Sequence, residues 1–169
     1  GFTPDVVNLD ISDPTNPKLI GKVQMIGPFA YNVMQSVHTV IPYWDKKILY
    51  VSGEPKLANC KEPLPLMAMV DNSDPKNPMM MSVFPPPRPP AGTPWKNFCD
   101  KPGRFGPHNV NTEIHSPDVA QNGNILHVAY FTAGMQVFDI SDPRLPTNVG
   151  YFLPPEPDHP ERSQSGMLQ

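Results

Sequence analysis

Asp10-Ile11-Ser12-Asp13-Pro14-Thr15-Asn16-Pro17 is one of three copies of a single phrase. The others are Asp71-Asn72-Ser73-Asp74-Pro75-Lys76-Asn77-Pro78 and Asp139-Ile140-Ser141-Asp142-Pro143-Arg144-Leu145-Pro146. Their leading aspartates lie 61 and 68 residues apart (71 − 10 and 139 − 71). Each copy follows an apolar run, Val6 to Leu9, Leu66 to Val70 or Met135 to Phe138. Each precedes another, Leu19 to Val23, Met79 to Phe84 or Val149 to Leu153. Self-similarity at so long a period marks a repeat architecture, in which each unit buries its faces against its neighbours.

The phrase describes a rigid corner. Pro14, Pro75 and Pro143 set φ for the second position of a type I turn, and the aspartate before each can accept backbone N–H groups across it. The second proline cannot donate to a ladder, so it belongs at the start of a strand. Strand, polar turn, strand is a hairpin, repeated three times. The aspartates are thereby explained as turn chemistry and are given no catalytic role.

A second register runs alongside the first. Ser36-Val37-His38-Thr39 matches Glu113-Ile114-His115-Ser116, and Ile48-Leu49-Tyr50-Val51 matches Ile125-Leu126-His127-Val128, both at an offset of 77 (115 − 38 and 125 − 48). Each unit therefore has four short strands. They are expected near 36–42, 47–53, 65–71 and 78–84 in one unit, and near 113–119, 124–131, 135–140 and 147–153 in the next. Residues 5–23 supply the last two strands of an earlier unit. Four antiparallel strands per repeat, joined by Gly/Pro/Asn turns, describe a β-propeller blade. The 25 prolines among 169 residues argue against long helices. The expected fold is all-β: about two and a half blades (5–23, 36–84 and 113–153) within one propeller domain spanning 1–169.

With these residues in view, the run Val7-Asn8-Leu9-Asp10-Ile11-Ser12-Asp13-Pro14 and its copies resemble the LVIVD-type propeller repeat. The resemblance covers most of residues 5–153 and speaks to fold rather than to function. Insertions near 54–64 and 85–107 make these blades longer than the usual ones of that family. A shorter stretch, His115-Ser116-Pro117-Asp118-Val119-Ala120-Gln121, resembles the selenium-binding protein and methanethiol oxidase superfamily, which implies a metal-dependent oxidase.

Propellers generally close with four to eight blades, so the remaining blades of the same protein are expected as partners of this part. Net charge is −3 and no run of Lys or Arg tracks a nucleic-acid backbone, which argues against a nucleic-acid role. No 18-residue apolar stretch occurs, so no membrane span is expected here. Cys60 and Cys99, the two cysteines, fall in the two inserted loops, which open on the same face of one blade. A disulfide between them would suggest a periplasmic or extracellular location. Two free thiols on loops are the alternative.

Candidate chemistry rests with the histidines. His38 and His115 hold equivalent places at the start of the first strand of successive blades, and His108 lies in the loop leading to His115. Imidazoles gathered at a propeller mouth suit a transition metal, Cu, Fe or Zn. Glu113 would orient an imidazole through its other ring N–H. Against this, a histidine at a strand start often serves only as a polar cap. The expected function is a metal-dependent enzyme, with an oxidoreductase favoured, acting on a small-molecule substrate. The alternative is a non-catalytic propeller binding a protein or glycan ligand. No phosphate-binding loop or nucleophile elbow is present, and Met79-Met80-Met81 reads as strand packing.

Overall fold

A computed structural model describes residues 5–25, 37–110 and 123–155. They form three antiparallel sheets. The first pairs β1 (Asp5–Asp10) with β2 (Lys18–Gln24). The second is ordered β3 (Val37–Tyr43), β4 (Ile48–Gly53), β5 (Met67–Asp71) and β6 (Met79–Val83). The third comprises β7 (Ile125–Ala129), β8 (Met135–Asp139) and β9 (Thr147–Phe152). Among the described residues the only helical segment is one 3₁₀ turn, Phe98–Asp100. The strand expected near 113–119 lies outside the described residues.

The three phrases fold alike, for the reason their residue types suggest. In each, the leading aspartate accepts the N–H two residues on: Ser12, Ser73 and Ser141 donate to Asp10, Asp71 and Asp139 at 2.9, 2.9 and 2.7 Å. The second aspartate accepts from Thr15, Lys76 or Arg144, each at 3.0 Å. Its carbonyl closes the turn by accepting from Asn16, Asn77 or Leu145. Pro17, Pro78 and Pro146 stand just before β2, β6 and β9, where no ladder donor is needed. A β-bulge also recurs in the same place, between Asn8 and Leu9, Met69 and Val70, and Val137 and Phe138.

Alternation along the strands divides each sheet into two faces. In the second sheet, Leu49, Val51, Ala68 and Val70 pack on Val6 and Met25 of the first. Its other face, with Tyr50 and Met69, packs on Leu126, Val128, Phe138 and Ile140 of the third. Phe84 stands edge-on to Tyr50 at 5.7 Å and to Phe138 at 5.2 Å, centroid to centroid. Face-to-face stacking of twisted four-stranded units is the propeller arrangement, and it brings the loops at one end of each sheet together.

Candidate functional site

His38 owes its orientation to a bulge. Val37 pairs with Gly53 and Thr39 with Ser52, so His38 is the extra residue of β3, and such insertions re-aim a side chain. Opposite it β4 ends at Gly53, and the chain leaves through Glu54 and Pro55. His108 arrives from the long 85–107 loop, pinned by its backbone N–H donating to the Ala129 carbonyl at 2.9 Å. The two imidazoles lie 4.7 Å apart, centroid to centroid, and both turn a nitrogen toward the Glu54 carboxylate. His38 Nε2 is 3.5 Å from Glu54 Oε2, and His108 Nε2 is 3.6 Å from Oε1. Arg104 donates to Oε1 at 3.0 Å and lies over the ring of Phe131, 4.1 Å from its centroid. Phe131 also meets the edge of His108 at 5.1 Å, and its backbone is held at φ 46°, a region that residue rarely adopts.

The two inserted loops are bolted to one another. Cys60 and Cys99 are disulfide-bonded, with Cα atoms 5.5 Å apart. Beside the bond, Asn59 N–H donates to the Gly103 carbonyl at 2.7 Å, and Gly103 N–H donates to Asn59 Oδ1 at 3.0 Å. Gly106, at φ +159°, fits against the rings of Pro55 and Pro65, where a Cβ would collide. Arg104 reaches both Glu54 and the Pro55 carbonyl, so the roots of the two loops meet at the site itself.

The electrostatics favour a neutral His108. Burial pushes its proton affinity down, and the neighbouring His38 and Arg104 add to that, against the opposing pull of Glu54. A neutral imidazole keeps a lone pair available for a metal. Its Nδ1 is buried without a hydrogen-bond partner. Ligand atoms from His38, Glu54 and His108 all lie within 4.8 Å of one another. The spacings of 3.5 and 3.6 Å match the roughly 3.4 Å expected between ligands of one tetrahedral ion at about 2.1 Å. Two imidazoles and one carboxylate therefore fit a borderline transition ion, with positions left open.

The structure brings His38 together with His108, the histidine of the entering loop. His115 and Glu113 lie outside the described residues. Sequence reasoning missed Glu54 and Arg104. Glu54 was available to it as the acid leaving strand β4 opposite the start of the strand that carries His38. Arg104 carries no such signal, because only loop packing places it.

Compared with known families, the LVIVD repeat model matches residues 4–25 and 115–153. No curated protein matches the chain. The matched residues include the first and third phrases, and the second sheet carries the same phrase at Asp71 to Pro78 with the same turn bonds. Repeat, turn and stacked antiparallel sheets agree: the chain carries LVIVD repeats at these two regions, and its antiparallel sheets are consistent with propeller blades.

Proposed function

We propose that this LVIVD-repeat chain contributes a transition-metal site to a β-propeller enzyme, with His38, Glu54 and His108 as ligands at the mouth of the blades. The observation that carries this reading is the convergence of two imidazoles on one carboxylate. Two histidines and one carboxylate with open positions form the donor set associated with non-haem iron oxygen chemistry, and zinc and copper are chemically compatible with it. The ion would supply a Lewis acid or redox centre, and an oxidoreductase acting on a small molecule is the favoured activity. Within the chain, Arg104 holds Glu54 by Oε1 and leaves Oε2 turned to His38. The apolar wall of Phe131 shields one side of the cluster. His115 would add a further ligand and Glu113 an orienting partner. The Cys60–Cys99 bond is the ground for proposing a periplasmic or extracellular location.

A second reading rests on one observation. The Arg104–Glu54 bond partly neutralises the cluster without an ion, as a structural network would, leaving a propeller that binds a protein or glycan through its loops. Metal titration by calorimetry, with Fe(II), Zn(II) and Cu(II) in turn, separates the two. The metal reading expects one ion per chain, with affinity reduced at least about tenfold in Glu54→Gln and His108→Ala, and oxygen uptake that depends on the bound ion. Undiminished affinity in both variants, or no binding at all, would favour the network.

A further inference from the structure

Arg104 has more donors than its hold on Glu54 uses. Nη1 is committed twice, to Glu54 Oε1 at 3.0 Å and to the Pro55 carbonyl at 3.3 Å. Nε and Nη2 meet no acceptor among the described residues. These two nitrogens share one edge of the planar guanidinium. Their N–H groups leave that edge in parallel, the geometry that a carboxylate accepts with both of its oxygens. The same chain uses this edge elsewhere: Arg144 Nε and Nη2 hold the two oxygens of Asp142 at 2.9 and 3.3 Å.

Arg104 is also fixed before any ligand arrives. Its carbonyl accepts the Thr132 N–H at 3.1 Å and the Thr132 hydroxyl at 2.9 Å. Its guanidinium lies over the Phe131 ring, 4.1 Å from the centroid. Such a donor has little freedom left to lose on binding. The side chain is 25% exposed, so a ligand can reach it, while partial burial strengthens a charged hydrogen bond made there. A lysine would pair with Glu54 as a point charge. Only an arginine does so and keeps a second, bidentate edge in reserve.

We propose that Arg104 anchors the carboxylate of a small organic acid through Nε and Nη2, beside the cluster of His38, Glu54 and His108. This gives the proposed metal site a substrate class, a monocarboxylic acid whose other end reaches the ion. The assignment rests on the metal reading for the reaction, and on Arg104 alone for the anchor. A phosphate suits the place less well. The fork belongs to the same guanidinium that bonds Glu54, and a doubly charged anion is repelled by that carboxylate more strongly than a singly charged one.

Magnetic resonance of the isotope-labelled, metal-free chain tests this. The Arg104 Nε–H signal should move and saturate on titration with butyrate. Butyrate should bind at least about tenfold more tightly than butyramide, because only the charged acid matches the fork. An arginine that merely braced Glu54 would give no such preference. In Arg104→Lys the preference should fall at least about fivefold. A signal that butyrate leaves unmoved, with and without added metal, overturns the anchor, as does a preference that Arg104→Lys retains in full. Tighter binding of inorganic phosphate than of butyrate overturns the carboxylate class. If the chain takes up no metal and butyrate still moves the signal, the metal reading fails and the anchor stands.

Discussion

Each turn in this molecule is held by two carboxylates accepting backbone N–H groups, and both are stabilised in the ionised form. For Asp10, Asp71, Asp74, Asp139, Asp13 and Asp142, the hydrogen bonds of the turn itself, backbone and side-chain, hold the carboxyl below its usual range. A carboxylate whose folded value is depressed adds stability above its unfolded value, and that contribution disappears as pH falls through the folded one. These groups lie at the surface, so solvent screens each contribution and only their sum is visible. Thermal melts followed by circular dichroism should show a midpoint that is steady near neutrality and declines below about pH 4. In a variant carrying Asp71→Asn and Asp139→Asn the decline should be shallower. A midpoint constant down to about pH 2 would contradict this account of the turns.

At the scale of elements, the strands follow from alternation and proline placement, whereas the loops depend on cross-links. The 54–66 and 85–107 segments contain almost no regular structure, and one 3₁₀ turn, capped by Asn97 accepting from Cys99 N–H at 2.8 Å, presents Cys99 to Cys60. Glu62 accepts the N–H groups of Lys56 and Leu57, which shapes the other loop. The bond joins residues 39 apart, so in the chain-entropy model it stabilises the fold by about 3–4 kcal/mol. Cys60→Ser with Cys99→Ser should lower the urea midpoint accordingly. Because Asn59 and Gly103 join the same loops, the double variant should also loosen the hold of Arg104 on Glu54. Hydrogen exchange of the Gly103 amide checks this, and protection equal to that of the parent would show the staple to be unnecessary for the site.

For the whole molecule, cohesion comes from sheet faces rather than from sheet edges. Phe84 is the clearest single joint: it follows β6, is buried, and stands edge-on to Tyr50 of its own sheet and Phe138 of the next. Removing such a side chain from a packed interface costs about 3–5 kcal/mol, including the cavity. Phe84→Ala should therefore lower stability by that amount in urea denaturation. Because the ring is shared, the second and third sheets should lose their cooperativity together. A loss below about 1 kcal/mol would mean that the two sheets do not depend on each other through this contact.

The repeated Asp-Pro phrase, the gapless offset of 77 and the alternating apolar runs determined the strands, their turns and their antiparallel order, since these are local effects of φ restriction, side-chain capping and a period of two. They also marked His38 and His115 as repeat-placed histidines, with His108 in the loop before the second, and the two loop cysteines as a pair. What they left undetermined was the centre of the site. Glu54 meets the histidines because the bulge at His38 turns that ring toward the exit of β4, and Arg104 arrives because a disulfide and a close-packed Gly106 fold one long loop over another. Contacts between residues about 50 positions apart in irregular segments have no periodic signature. Only tertiary packing, in which each partner limits where the next can sit, decided which charges share that space.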